Sequence, residues 1–481
     1  MSHGRGKSDC CVVPGKLPNK AAGETPAAAE AVEGRRQAKG NAVAARMSRS
    51  SGREYDMGTA LDGIRQTAKS RPGAKFTTLM HHIYAVDRLR AAYFALKRKA
   101  AAGVDGQTWQ SYGQDLEARL LDLSDRLARG AYRPQPVRRV YIDKADGSKR
   151  PLGVPALEDK LVQLATVEVL NVIYEQDYQP GSYGYRPKCT AHEAVRRVAT
   201  AIVQCKTRVI DLDLRAYFDT VRHHLLLEKV ARRVNDEEVM RLLKLMLTAS
   251  GKKGVPQGGV ISPLLSNVYL TEVDRMLERV KGSTRSGKYT YVEYARFADD
   301  LVVLIDAHPR NAWLLRVVSR RLREEFAKLQ VEVNEEKSRT VDLERAESFG
   351  FLGFDFRRLR SIGRQVWRAH YTPKLKKRTA LLRKLKEVFR RFQSQPVDRV
   401  VQLINPVLRG WVNYFAVGNS SECFSFIKDW VEKKIRRHMG RSRNRRGFGW
   451  TRWSRRWLYD ELKLFNGYRV RRTTKPKASP A

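Results

Sequence analysis

Paired cysteines are missing from this chain. Its 481 residues include only Cys10, Cys11, Cys189, Cys205 and Cys423. None forms a CxxC pair and no histidine pair has ligand spacing, which argues against a structural zinc site. The odd cysteine count points to reduced thiols. No run of about 18 apolar residues offers a bilayer span. The opening MSHGRGKSDCCVVPGKL has no apolar signal core, so secretion is not expected. These readings predict a reducing cytoplasm and no membrane partner. Acidic residues are also scarce. Asp and Glu total 51 against 93 Lys and Arg, leaving a net charge of +42. A balance of that kind points to a polyanion, where each neutralised phosphate releases condensed counterions.

The chain is not uniform. Residues 1–72 are rich in Ala, Gly, Ser, Lys and Arg, as in AAGETPAAAEAVEGRRQAKG. Such a segment buries little apolar surface and reads as a disordered basic arm. Order is expected from FTTLMHHIYAVDRLRAAYFALKRKAAAGVDG, whose apolar residues recur at helical spacing until Gly103 and Gly106. RRVYIDKADGSKRPLGVP predicts two strands joined at Asp146-Gly147. KLVQLATVEVLNVIYEQDY predicts an amphipathic helix, and TRVIDLDLRAYF a strand. DEEVMRLLKLMLTAS, SPLLSNVYLTEVDRMLERV and NAWLLRVVSRRLREEFAKL predict helices, and FGFLGFDFRR a return to strand. The fold class is α+β, built on an antiparallel sheet. From about residue 372 the pattern is helical and basic. Residues 431–481 hold 17 Lys and Arg against 3 acids, interleaved with Trp450, Trp453, Trp457, Tyr459 and Tyr468. Rings among cations suit stacked bases and phosphates, although a solvated helical face with core aromatics gives the same pattern.

One stretch concentrates chemistry. YARFADDLVVL places Asp299 and Asp300 between two apolar runs. A hairpin would hold both carboxylates at one point of a sheet edge. Like charges so close must be neutralised, or one pKa must rise. Hard oxygen donors favour Mg²⁺. Asp is also an ordinary turn former, so the pair alone is weak evidence. VIDLDLRAYFD adds Asp211 and Asp213, which share a face by the period of two. A third carboxylate from a neighbouring strand would complete a two-metal site for nucleotidyl transfer. Spacing does not choose between Asp211 and Asp213. Asp219 is expected to cap the helix DTVRHHLLLEKV. GSTRSGKY ends in Tyr289 and follows a helix, so it is not read as a phosphate loop, and His223 and His224 are read as structural.

Nine collinear segments carry a resemblance: GVDG (103–106), DGSKRPLGVP (146–155), SYGYRP (182–187), DLRAYFD (213–219), GVPQGGVISPLLSNVYL (254–270), RFADD (296–300), VNEEKSR (333–339), FGFLGF (349–354) and INPVLRGWVNYF (404–415). Together they resemble group II intron-encoded reverse transcriptase/maturases. The resemblance implies a right-hand polymerase fold, with fingers and palm around an antiparallel sheet over 73–370. It implies a helical thumb/maturase domain over 371–440 and a basic nucleic-acid-binding segment over 441–481. It makes Asp213, Asp299 and Asp300 the catalytic metal ligands, with Leu214 beside the first as a further metal contact, holding two Mg²⁺ ions that Mn²⁺ can replace. Phe297 stands where the family usually has Tyr. The ring is kept and a hydroxyl that is not a metal ligand is lost.

Other roles follow from the same resemblance. Lys144, Arg150, Phe218, Gln257 and Gly258 would bind the incoming nucleotide. Arg suits phosphate oxygens, and the Phe218 ring would exclude a 2′-OH. Lys337, Arg409 and Trp411 would contact nucleic acid. The implied partners are group II intron RNA, a DNA target or primer, and dNTPs. The implied functions are copying of intron RNA into cDNA and assistance to splicing, with no endonuclease. A domesticated reverse transcriptase in DNA repair or phage defence, or a splicing-only maturase, shares most of these features.

Overall fold

The computed structural model describes residues 57–143, 149–361, 365–442 and 449–471. Its central element is a four-stranded antiparallel sheet in the order β4-β5-β3-β6. The strands are β3 (Arg208–Leu212), β4 (Val292–Phe297), β5 (Asp300–Ile305) and β6 (Arg339–Asp342). Side chains alternate between its two faces. Ile210, Val303, Tyr294 and Ile305 enter one apolar core. Val209, Val302, Leu304 and Ala295 enter a second. A sheet covered on both sides explains why VEYARF and DLVVLI read as nearly continuous apolar runs.

Helices cover the first face. They include α1 (Met57–Ser70), α2 (Val86–Ala95), α3 (Leu116–Ala128), α4 (Leu157–Tyr174), α6 (His223–Ala231), α7 (Glu237–Thr248), α8 (Ser262–Ser283) and α9 (Ala312–Lys328). A two-stranded hairpin, β1 (Arg138–Asp143) and β2 (Lys149–Val154), precedes α4. Its expected turn at Asp146-Gly147 lies outside the described residues. The second face packs against α5 (Ala191–Val203) and a three-stranded sheet of β7 (Phe349–Phe351), β8 (Phe354–Arg360) and β9 (Trp367–Pro373).

Four local expectations change. Residues Met57–Ser70 of the expected arm form a helix, because MGTALDGIRQTAKS is amphipathic and packs on α4; residues 1–56 of that arm lie outside the described residues. Helix α4 is not amphipathic. It is buried on nearly every side, with Asp159, Lys160 and Gln163 enclosed beside its apolar residues. The strand through TRVIDLDLRAYF ends at Leu212. Ala216 then takes a left-handed φ of 46° and opens a short helix at Tyr217–Thr220. That helix contains Asp219, so α6 begins after Arg222 without a side-chain cap.

The C-terminal part is helical: α10 (Leu375–Arg391), α11 (Val397–Phe415) and α12 (Ser421–Ser442). Leu385, Ile404, Leu408, Ile427 and Ile435 form its core, and Trp453 and Leu458 close it. Arg436 and Glu432 are fully buried on α12. The Arg436 Nε donates to the Trp453 carbonyl at 2.9 Å, and the Tyr459 hydroxyl to Glu432 at 2.7 Å. The tail aromatics thus serve packing at Trp453 and Tyr459, while Trp450 is exposed. Among the described residues no helix is long and apolar enough to cross a membrane.

Candidate active site

The β3–β5 ladder pairs Leu212 with Leu301. Asp213 follows this last rung on one strand and Asp300 precedes it on the other, so the two acids adjoin the same end of the ladder. Asp299 sits in the two-residue turn between β4 and β5, whose last rung is Phe297 with Asp300. The turn needs a left-handed residue, and Ala298 supplies it with φ 57°. Three carboxylates therefore gather at one end of the sheet.

Their electrostatics record the crowding. Burial raises the pKa of Asp299, and the Asp213 charge adds to it, while Arg150 opposes the rise. Asp300 is also raised, first by loss of solvent and then by the Asp299 charge, with Lys374 opposing. Asp300 itself keeps an open face to water. The site is short of positive charge, and hard oxygen donors of this kind suit a divalent cation. Among the described residues no three His, Cys, Asp or Glu side chains already converge into a metal cluster. The donor chemistry fits, and a cation would have to draw the carboxylates inward.

Asp213 and Asp211 separate clearly. Asp211 lies within the strand, 3.7 Å from Arg339. Asp213 lies past the strand end, where Asn334 donates to its carboxylate at 3.0 Å and Ser338 accepts from its backbone N–H at 3.1 Å. Lys337 stands 3.9 Å from the same carboxylate. Leu214 is buried and bridges Val333. The flanking bonds run from Arg215 N to Glu332 O and from Asn334 N to Asp213 O, so the peptide groups of Leu214 point away from that neighbour.

The expected nucleotide-binding residues divide. Arg150 Nε donates to the Gln257 side chain at 2.5 Å, and Gly153 N donates to the Gln257 carbonyl at 2.7 Å. Gly258 has φ 102°, and a Cβ there would meet the Gly153 carbonyl at 3.0 Å. The PQGG loop thus lies against β2, with Arg150 close enough to act on Asp299. Lys144 lies outside the described residues. Phe218 is buried in the first core, its ring edge-on to Tyr217 at 5.3 Å, and its carbonyl accepts from Val255 N at 2.7 Å. Phe297 is half-buried with its ring 6.2 Å from Tyr185. Arg409 and Trp411 lie away on α11. Arg409 is exposed, whereas the Trp411 ring packs 4.4 Å from Phe415 and joins two cores. The His223 Nε2–H donates to the Gly254 carbonyl at 2.7 Å, a structural use.

Sequence reasoning gave no role to the groups that hold the Asp turn from behind. Arg296 is buried, and its guanidinium reaches Asp274, Asn267, Ser182 and the Ala298 carbonyl. An Arg interrupting an apolar strand was the available signal.

The reverse transcriptase (RNA-dependent DNA polymerase) family matches residues 142–356, and the group II intron, maturase-specific domain matches residues 378–457. Protein YkfC of Escherichia coli K12 is 36% identical over 309 residues, covering 56% of this chain and 80% of that protein. Group II intron-encoded protein LtrA of Lactococcus lactis subsp. cremoris is 30% identical over 231 residues, 46% of this chain and 38% of LtrA. An uncharacterized 91 kDa protein in a cob intron of Schizosaccharomyces pombe is 29% identical over 249 residues, 49% of this chain and 30% of that protein. The matches to the last two thus span well under half of each relative. The chain belongs to the reverse transcriptases that carry a group II intron maturase-specific domain, and it is an RNA-directed DNA polymerase by family.

Proposed function

We propose that this reverse transcriptase copies intron RNA into cDNA from a DNA primer and, through its helical C-terminal region, binds the same RNA to assist splicing. The observation that carries the polymerase reading is that β3 and β5 end together at Leu212 and Leu301, so that Asp213 and Asp300 both adjoin this last rung, with Asp299 in the neighbouring turn. In this reading 73–370 are fingers and palm, 371–440 the thumb and maturase domain, and 441–481 a basic nucleic-acid-binding segment. Two Mg²⁺ ions, held by Asp213, Asp299, Asp300 and Leu214, would activate the primer 3′-hydroxyl and stabilise the leaving pyrophosphate. The chain's own groups do the rest. Arg150, braced by Gln257, meets the triphosphate of the dNTP. Gly258 admits close backbone approach. Phe218 bounds the sugar, and Lys337 beside Asp213 contacts nucleic-acid phosphate. For the maturase role the exposed Arg409 is the stronger candidate of the α11 pair, since structured RNA is recognised by shape and phosphate.

The test is primer extension on an RNA template with dNTPs and Mg²⁺, comparing wild type with Asp299→Ala plus Asp300→Ala. Extension by wild type and its loss in the double variant is the expected result. Equal extension by both would remove these carboxylates from the chemistry. Folded, RNA-binding wild type that does not extend would favour a splicing-only maturase.

A further inference from the structure

The two acids of RFADD are only as well placed as the turn that carries them, and that turn has an unusual backing. Arg296 is 1% exposed. Its guanidinium bonds to three segments, helix α8, the stretch around Ser182 and the turn before Asp299. Nε donates to Asp274 on α8 at 2.9 Å. Nη2 donates to the Ser182 hydroxyl at 2.8 Å. Nη1 donates to Asn267 on α8 at 3.1 Å and to the carbonyl of Ala298 at 2.9 Å. The last acceptor belongs to the left-handed residue immediately before Asp299.

The surrounding backbone is tied to the same point. Arg296 N donates to Gly181 O at 2.8 Å, and Tyr183 N to Arg296 O at 2.9 Å. Asn267 Nδ2 donates to Gly184 O at 2.6 Å. Gly184 itself lies against the turn, where a Cβ would fall 2.3 Å from Ala298 N. The segment 181–184, helix α8 and the turn therefore share one buried polar network centred on a single guanidinium. A left-handed Ala is unfavourable by itself. A charge-assisted bond to its carbonyl, from a donor held by an ion pair in low dielectric, offsets that cost and fixes the peptide plane leading into Asp299.

We infer that Arg296 is a positioning residue for the polymerase reaction: it sets the Ala298–Asp299 peptide, and through it the placement of Asp299 and Asp300, without touching substrate or metal. Lysine cannot substitute, because its one ammonium cannot bridge Asp274, Ser182 and the Ala298 carbonyl together. The inference rests on the polymerase reading of the site, and it assigns a function to a residue buried on the far side of the turn from that site.

The experiment is single-nucleotide extension on an RNA template with Arg296→Lys, which keeps a cation for Asp274. The kcat, the KM for dNTP and the Mg²⁺ concentration at half-maximal rate are compared with wild type, beside thermal unfolding. The expected result is kcat lower by about tenfold or more, KM within about threefold, and a higher Mg²⁺ requirement in protein that still unfolds cooperatively. Wild-type kcat and Mg²⁺ requirement in folded Arg296→Lys would overturn the inference. Where Arg296→Lys does not fold, Ser182→Ala decides. It removes one acceptor from the fork, and kcat lowered about threefold at unchanged KM is expected; wild-type kcat and Mg²⁺ requirement would overturn the inference. Failure of the polymerase reading is separate: it shows as no extension by wild type, or as no effect of Asp299→Ala plus Asp300→Ala.

Discussion

Gly184→Ala should slow nucleotide addition while leaving the chain folded. Gly184 has no positive φ, so alanine is tolerated by its backbone and only space forbids it. A Cβ there would lie 2.3 Å from Ala298 N, 2.9 Å from Phe297 C and 3.2 Å from Ala298 Cα. All three are main-chain atoms of the turn before Asp299, and none can rotate aside. Restoring ordinary contact requires the turn and segment 181–184 to part by about 1 Å, at an overpacking cost of about 1–3 kcal/mol. A displacement of that size at the reacting groups costs on the order of 10²-fold in rate, equivalent to about 2.7 kcal/mol of barrier. The assay is single-turnover extension of a DNA primer on an RNA template, beside thermal unfolding. A cooperative transition with the rate lowered some hundredfold is expected. A rate within about twofold of wild type would show that the turn's position does not control the chemistry, and the reasoning from close packing to catalysis would fail.

Arg150→Ala removes the donor to Gln257 and the cation that favours ionised Asp299; KM for dNTP should rise about tenfold, more than kcat falls, and an unchanged KM would take Arg150 out of nucleotide binding. Phe218→Val should lower the preference for dNTP over rNTP about tenfold, by opening space beside the sugar, and cost about 1–3 kcal/mol of stability because the ring is buried; lost stability with an unchanged preference would leave Phe218 a core residue only. His82 is lowered to about 4 by burial, then by the charges of His81 and Arg88. The unfolded chain takes up this proton first, near 6.5, so the contribution is intact above 6.5 and is lost as pH falls through about 4. Denaturant titrations should show wild type losing roughly 2 kcal/mol more than His82→Gln across that window, less than the full shift because solvent reaches part of the ring's surroundings; parallel curves would refute it.

Much of the candidate site was legible because its signals are local. Two apolar runs around Asp299 and Asp300 suggest a hairpin, and the structure pairs Val292–Phe297 with Asp300–Ile305, the first strand opening three residues later than YTYVEYARF suggests. The interrupted strand at Asp213 was also local, but its end was not. Leu212 closes the strand because Ala216 turns left-handed and Leu214 pairs with Val333 instead of β5, a contact about 120 residues away in sequence. Helix α4 was misjudged for a related reason. Periodicity reports one buried face, whereas a helix enclosed on several sides buries Asp159 and Gln163 by giving them partners: Tyr132 and the Gln135 N–H for the first, the Val260 N–H for the second.

The Arg296 network marks where local reading stops. Ser182, Asn267 and Asp274 are unremarkable in sequence, and they reach Arg296 on β4 from two other places, the segment before α5 and helix α8. A charged side chain in the middle of an apolar strand could be an exposed edge, a ligand or a buried pair. Only the fold shows that it is the last, with all of its partners supplied from elsewhere. Buried ion pairs add little net stability, yet removing one partner costs about 3–5 kcal/mol. Hydrophobic residues of similar volume could have filled the same space. They could not have donated a hydrogen bond to the Ala298 carbonyl. The presence of a guanidinium there therefore follows from the need to hold one peptide plane behind two acids that repel each other. The strain of the left-handed Ala298 and the crowding of Asp299 and Asp300 sit on one side of the turn, and the charge that restrains them sits on the other.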